Sequence, residues 1–86
     1  GEARAQTSLA YMYISGRGVT QDDAEAVKWY RKAAEQGDAF AQTNLGYMYE
    51  HGKGVVFSIV TAKIWYRKAA AQGNEYAQKA LERLGE

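Results

Sequence analysis

Residues 41–55 read AQTNLGYMYEHGKGV, and residues 65–73 read WYRKAAAQG. Both segments occur 36 positions earlier, as AQTSLAYMYISGRGV at 5–19 and WYRKAAEQG at 29–37. A shorter third copy opens at residue 73, where Gly-Asn-Glu-Tyr-Ala-Gln matches the start of the other two. The 86 residues are therefore predicted to form one repeat domain, 1–86, with units 1–36 and 37–72 and a partial capping unit 73–86.

Each unit has the pattern of two helices joined by a turn. In unit two, Ala41, Leu45 and Met48 recur at the spacing of one helix face, and the second half of the unit has the same kind of apolar stripe. The glycine pair at 52 and 54, which recurs at 16 and 18, permits the left-handed backbone that reverses the chain between helices. The units are therefore predicted to be helix-turn-helix repeats, with Trp29 and Trp65 in equivalent, largely buried positions.

The helix starts are marked by capping residues. Asp22 with Glu25 has the spacing of a capping box, and Asp38, Ser58 and Asn74 stand at the corresponding starts of later helices. We expect an all-α protein, an α/α solenoid of about five helices at roughly 3–14, 22–35, 39–50, 58–71 and 75–84, with no strands.

The repeated residues also resemble a known family. The pattern Ala-Gln-x-x-Leu-(Ala/Gly)-Tyr-Met-Tyr, then Gly-x-Gly-Val, then Trp-Tyr-Arg-Lys-Ala-Ala-x-Gln-Gly is similar to the Sel1-like repeat, a relative of the tetratricopeptide repeat. The resemblance covers essentially the whole chain and implies an adaptor or scaffold in protein complexes rather than an enzyme. One departure is that the aspartate that follows Gly-x-Gly-Val in the family is Asp22 in unit one but Ser58 in unit two.

Composition argues against several classes of function. The net charge is +1, from 11 basic and 10 acidic residues without long runs of one sign, so nucleic acid and membrane partners are not expected. The chain has no cysteine, which excludes disulfides and thiolate metal sites and gives no support for an extracellular location. We expect no cofactor and no metal. The sequence does not determine the location of the protein, and the lack of cysteine favours a cytoplasmic or a recombinant protein.

No catalytic residues are apparent in the sequence. His51 is the single histidine and is expected to be a surface residue at a helix C-terminus. Glu50 and the other carboxylates have the spacing of solvated charges on helices.

One block separates the two units. They agree at 20 of 36 aligned positions, and 19 of these agreements lie outside residues 20–28 and their counterparts 56–64. Within the block TQDDAEAVK becomes VFSIVTAKI. At about 100° per residue, Phe57, Val60 and Ile64 fall in one arc with Thr61, away from the stripe of repeat-core residues. The change therefore predicts a new apolar face on the second helix of unit two.

We predict that this face binds another protein. The predicted partner-binding residues are Val56, Phe57, Ile59, Val60, Thr61, Ile64 and Lys68. Phe57 and Ile64 are the expected anchors, and Lys53, Lys63 and Lys68 form a rim. The near-identity of the units, their in-phase ends and the concentrated change also suggest an engineered scaffold.

Several alternatives remain open from the sequence. The same face could join two copies in a homodimer, pack on a helix of a further unit, fold onto the chain's own C-terminal helix, or reflect drift. A separate alternative is peptide binding in a concave groove of the first helices, with Phe40, Thr43, Tyr47 and Tyr76 as its residues.

Overall fold

Five helices follow one another along the chain. A computed structural model describes residues 2–16 and 22–85, and this part of the chain contains no strand. The helices are α1 (Glu2–Ser15), α2 (Asp23–Glu35), α3 (Ala39–His51), α4 (Ile59–Ala71) and α5 (Glu75–Arg83). The predicted all-α solenoid is confirmed, and every helix bound lies within one residue of its predicted position. The predicted turn at Gly18 lies outside the described residues.

Capping side chains fix where four of these helices begin. The capping residues are Asp22, Asp38, Ser58 and Asn74, and each accepts a hydrogen bond from the backbone N–H three residues later. Ser58 Oγ accepts from the Thr61 N–H at 3.1 Å, the same distance as between Asp22 and the Glu25 N–H. The replacement of Asp22 by Ser58 in the repeat therefore keeps the cap.

The helices stack in chain order, each packing on the next. The face of α3 that carries Ala41, Leu45 and Met48 is completely buried, because it meets α2. In α1, the outermost described helix, the counterparts Ala5 and Met12 are exposed. The same apolar stripe is thus buried or open according to whether a neighbouring helix covers it.

A glutamine links successive units in the same way twice. The side-chain amide of Gln42 donates to the Ala34 carbonyl at 3.1 Å, and that of Gln78 donates to the Ala70 carbonyl at 3.3 Å. Each bond joins the start of a first helix to the last turn of the preceding second helix, where carbonyls lack partners within the helix.

The turn between α3 and α4 rests on the first turn of α2. Gly54 has φ of 73°, and a Cβ atom added there would lie 2.4 Å from the Asp23 carbonyl oxygen. Only glycine fits both the left-handed backbone and this close approach. The contact ties the loop before α4 to unit one.

The two tryptophans occupy equivalent positions at the edge of the larger core cluster. Both Trp29 and Trp65 are partly buried, less than the largely buried positions that the repeat pattern predicted. Each ring lies near an ammonium group: Lys32 Nζ lies 4.5 Å from the centroid of the Trp29 ring, and Lys68 Nζ lies 5.7 Å from that of Trp65. A tryptophan at this position therefore carries both packing and a cation–π contact.

Candidate functional site

The predicted apolar face of α4 and the turn before it is open to solvent. Its exposed fractions are 86% for Val56, 60% for Phe57, 72% for Val60 and 44% for Ile64. The opposite side of α4 carries the completely or almost completely buried residues Ala62, Tyr66 and Ala69. The structure therefore separates these four side chains from the repeat core. We call Val56, Phe57, Val60 and Ile64 the α4 patch.

Two predicted members of the face are oriented differently. Ile59 and Thr61 are half-buried, and the Thr61 hydroxyl accepts a hydrogen bond from Ser58 Oγ at 3.0 Å. The helix begins at Ile59 after the extended backbone of Ser58, so the helical arc that included Phe57 does not describe the position of that residue. Val56 and Phe57 therefore lie in the turn, with Phe57 Cβ close to Gly52.

The chain's own helices leave the α4 patch uncovered. The alternative that the segment folds onto α5 is wrong for the patch, since its four side chains remain exposed with α5 in place. In unit one, Ala24 and Lys28 hold the positions of Val60 and Ile64, and both are exposed although α3 and α4 follow α2. A further unit stacked in the same way after α4 would therefore leave Val60 and Ile64 largely open.

Helix α4 differs in charge from α2, its copy in unit one. Helix α2 contains three acidic and three basic residues, whereas α4 contains Lys63, Arg67 and Lys68 and no acidic residue. The exchange is not uniformly toward apolar residues, because the buried Val27 of α2 corresponds to the half-buried Lys63. Helix α4 thus combines the apolar patch with a net positive charge.

A second surface is a groove formed by the first helices. It has a volume of about 410 Å³ and includes Phe40, Thr43, Tyr47 and Tyr76, the four residues predicted for it. Its other lining residues are Tyr11, Ile14, Tyr30, Asn44 and Asn74. Four of the aromatic side chains are 39–70% exposed, so the groove presents rings rather than a closed core. We call it the aromatic groove.

The corresponding region of unit two contains an ion pair, beside a smaller hollow of about 250 Å³ lined by Tyr76, Lys79, Ala80 and Arg83. Glu50 is 8% exposed, its carboxylate accepts a hydrogen bond from Tyr66 Oη at 2.8 Å, and both terminal nitrogens of Arg83 donate to it. The hydrogen bonds from Arg83 are the main cause that lowers the pKa of Glu50 below its ordinary value. Burial, and then the bond to Glu50, raises the pKa of Tyr66.

The prediction that Glu50 is a solvated charge was therefore wrong. Its counterpart in unit one is the apolar Ile14, which was a signal in the sequence that this helix position faces inward. Helix periodicity alone missed it, because the partner Arg83 comes from α5, distant in sequence.

Tyr30, the copy of Tyr66, forms the floor of the aromatic groove. It is 2% exposed, and among residues 2–16 and 22–85 its hydroxyl has no hydrogen-bond partner. Ile14 and Tyr47 occupy the positions that correspond to Glu50 and Arg83. Burial and the neighbouring Tyr11 phenol raise the pKa of Tyr30 to about 12.

His51 is the last residue of α3 and is exposed, as the sequence predicts. Its Nε2 lies 3.8 Å from the Glu50 carboxylate, and its ring centroid lies 4.3 Å from that of Tyr47. The described ranges hold no group of three His, Cys, Asp or Glu side chains able to bind a metal ion, and no helix in them is long and apolar enough to cross a membrane.

Comparison with known proteins identifies two repeats in this chain. The family model described as Sel1 repeat matches residues 3–38 and 39–74. A crystal structure of a Sel1 repeat protein from Oxalobacter formigenes superposes with a TM-score of 0.93 at 51% identity, over 94% of this chain and 61% of that one. A protective antigen of uropathogenic Escherichia coli with an SLR fold gives 0.90 at 44% identity, over 91% of this chain and 17% of that one.

Two further relatives extend the comparison. Cysteine-rich protein B of Helicobacter pylori has a TM-score of 0.87 at 31% identity, over 91% of this chain and 59% of that one. An exopolysaccharide production negative regulator of Rhizobium leguminosarum bv. viciae is 51% identical over 37 residues, which are 43% of this chain. The match spans 14% of that curated relative, so this chain corresponds to a small part of its length.

Proposed function

Because this chain belongs to the Sel1 repeat family, whose helical repeats are protein-interaction modules, we propose that it binds another protein through the α4 patch. The observation that supports this proposal is that Val60 and Ile64 are exposed where the same fold carries Ala24 and Lys28 in unit one. Contiguous exposed apolar side chains on a soluble fold are characteristic of interaction sites.

The size of the patch sets what it can contribute. Each large apolar side chain removed from water contributes about 1.5–3 kcal/mol, so the four residues offer roughly 6–12 kcal/mol. The loss of translational and rotational freedom on association costs an estimated 4–15 kcal/mol, which must be subtracted from this gain to obtain the binding free energy. The patch alone supports weak to moderate binding, and contacts from rim residues such as Lys53 and Lys68 would be needed for tight binding.

Charge favours a different protein over a second copy as the partner. Two α4 helices face to face would bring the exposed Lys68 of each copy together at the edge of the patch. Four side chains are also few beside the roughly 20–30 residues per partner of a stable interface. The proposed partner therefore presents an apolar helix or strand with acidic residues at its edge.

The test replaces residues 56–64 by the unit-one block TQDDAEAVK. Peptides that bind the wild-type protein would first be selected from a displayed library of amphipathic helices, and their Kd values would be measured for both proteins. We expect the exchanged protein to keep its helicity and melting temperature, because residues 22–28 of this block already form the cap and first turns of α2, and to lose the selected peptides.

The matched control changes the copy of the patch in unit one. Ala24→Glu and Lys28→Glu stand at equivalent exposed positions of α2 and should leave the Kd unchanged. If the exchanged protein still binds the peptides, the binding site lies outside the α4 patch. If the exchanged protein unfolds, the α4 patch is needed for the stability of the domain rather than for binding. A dimer seen in light scattering of the wild-type protein and lost on exchange would replace the heterologous partner by a second copy.

A further inference from the structure

The exposed side of α4 changes in character along the helix. Val60 and Ile64 lie in its first turns, and Lys68 and Ala71 follow on the same side at helical spacing. All four of these residues are exposed. We call Val60, Ile64, Lys68 and Ala71 the α4 ridge. Its first half is apolar and belongs to the α4 patch, whereas its second half carries a positive charge.

The copy of this ridge on α2 has both signs of charge. Its members are Ala24, Lys28, Lys32 and Glu35, and all of them are exposed. Lys28 Nζ lies 3.7 Å from the Glu25 carboxylate. Glu35 follows Lys32 by three residues, a spacing at which opposite charges on a helix attract each other. Each lysine of this surface thus has an acidic neighbour on its own helix.

Unit two has lost both of these acidic neighbours. Thr61 stands at the position of Glu25. Ala71 stands at the position of Glu35. The ammonium group of Lys68 lies 5.7 Å from the centroid of a tryptophan ring and forms no ion pair with a carboxylate in the described part of the chain. Lys68 therefore places a positive charge beside the α4 patch that the helix itself does not balance.

The backbone of α4 favours a helix over a strand as the partner. A strand pairs with the edge of a sheet through main-chain hydrogen bonds, whereas the N–H and C=O groups inside α4 bond to one another. No strand in the described ranges supplies such an edge. A helix packs on rows of side chains spaced by four residues, which is the spacing of Val60, Ile64 and Lys68. From Val60 to Ala71 the ridge is about 16 Å long, which corresponds to three turns of a partner helix.

The position of the charge on the ridge determines the direction of that helix. Lys68 lies near the C-terminal end of α4, so acidic residues of the partner have to lie beside this end. Carboxylates stabilise a helix in its first turn and destabilise it in its last turn, because the N-terminus of a helix carries a partial positive charge. A stable partner helix therefore places its N-terminus next to Lys68 and runs antiparallel to α4.

We propose, on the premise that the α4 patch is the binding site, that the partner is an amphipathic helix that runs antiparallel to α4. The first turn of this helix carries acidic residues that pair with Lys68. Its following turns carry large apolar residues at intervals of three and four, which cover Ile64 and Val60 and reach Phe57 in the turn before α4.

The test uses two capped helical peptides of the same composition and opposite order. The acid-first peptide has two glutamates in its first turn and four leucines along one face of the following turns, and the acid-last peptide has the reverse order. A hydrocarbon staple on the opposite face keeps both peptides helical. A nitroxide at the N-terminus of each peptide broadens the amide signals of nearby residues in the isotope-labelled 86-residue protein. We expect the acid-first peptide to bind about fivefold more tightly and to broaden residues 68–71 rather than 57–60.

Variants of the second half of the ridge test the charge pairing. Ala71→Glu introduces the residue that α2 carries at this exposed position, so the melting temperature should stay the same while the acid-first peptide binds about threefold more weakly. Ala71→Gln is the uncharged control and should leave the Kd unchanged. Lys68→Gln should remove most of the difference between the two peptides, whereas Lys32→Gln, the matched change on α2, should keep it.

The outcomes distinguish this inference from the proposed function. The antiparallel acidic helix is overturned if the acid-first peptide broadens residues 57–60, if the two peptides bind equally well, or if neither binds while the library yields peptides that are lost when residues 56–64 are exchanged. In each of these cases the α4 patch remains the binding site. If no peptide from either source binds in a way that depends on residues 56–64, the proposed function fails as well.

Discussion

At the scale of single residues, the two units use one helix position in opposite ways. Position 14 in unit one is Ile14, and position 50 in unit two is Glu50, which is buried, bonded to Tyr66 and held by Arg83. The charged group remains in the interior because its partners supply donors to both carboxylate oxygens. The two copies of this helix position therefore place an apolar side chain beside Tyr30 in unit one and a hydrogen-bonded carboxylate beside Tyr66 in unit two.

The buried carboxylate makes stability depend on pH. The pKa of Glu50 is lowered in the folded protein, chiefly by the hydrogen bonds from Arg83, relative to about 4.3 in an unfolded chain. Its contribution is therefore fully present above the unfolded pKa and is lost as the pH falls through the folded pKa. Urea unfolding of wild type and Glu50→Gln should differ most near neutral pH, by about 1–3 kcal/mol, and progressively less in acid. A difference that stays constant from neutral pH to about pH 3 would contradict this role.

At the scale of elements, the turn between α3 and α4 determines how the second unit meets the first. Gly54 approaches the backbone of Asp23 and Ala24 so closely that a side chain has no space. This contact lies at the start of α2, next to Ala24, the exposed residue that corresponds to Val60 of the α4 patch. The turn therefore anchors the segment that carries Val56 and Phe57.

Gly54→Ala should be strongly destabilising. The substitution combines a left-handed φ of 73°, which costs about 1–2 kcal/mol for a residue with a Cβ, with a clash against backbone atoms. Gly73→Ala is the matched control, because Gly73 has φ of 89° but an added Cβ would meet nothing within 4 Å. Thermal unfolding should show a clearly larger loss for Gly54→Ala than for Gly73→Ala. Equal losses of stability in the two variants would mean that the close contact between Gly54 and the backbone of α2 does not limit the size of the residue at position 54.

The elements were predictable from the sequence because their signals are local. Capping residues such as Ser58 and turn glycines such as Gly52 act within a few positions, and the 36-residue repeat shows each of them more than once. The exposure of Val60 and Ile64 also followed from helical periodicity. Whether any partner binds them stays a prediction, as does an engineered origin.

The parts that the sequence missed depend on contacts between distant segments. Glu50 was misassigned because Arg83 reaches it from α5, and no spacing rule within α3 contains that partner. The two tryptophans were expected to be more buried because the repeat phase gives the face of a helix but not how far a neighbour extends over it. The unbonded hydroxyl of Tyr30 became apparent only from the structure of both units.

At the scale of the whole molecule, the two core clusters are unequal. The larger cluster joins α1, α2 and α3 and includes Tyr30, Leu45 and Met48, whereas the smaller one joins α4 and α5 and consists of Tyr66 and four alanines. Apolar burial scales with side-chain area, so the smaller cluster contributes less. In a stack where each helix contacts its neighbours, stability is a sum of such local terms.

Hydrogen exchange should therefore vary along the stack. We expect the slowest amides in α2 and α3, which lie inside the stack and supply most of the larger core cluster, and the fastest in the outermost helices α1 and α5. The bonds from Arg83 to Glu50 attach α5 to α3, so Glu50→Gln should speed exchange in α5 while leaving α1 unchanged. Slower exchange in α5 than in α2 would contradict the conclusion that the smaller core cluster stabilises its helices less. Equal acceleration of exchange in α1 and α5 by Glu50→Gln would contradict the role of the ion pair in attaching α5 to α3.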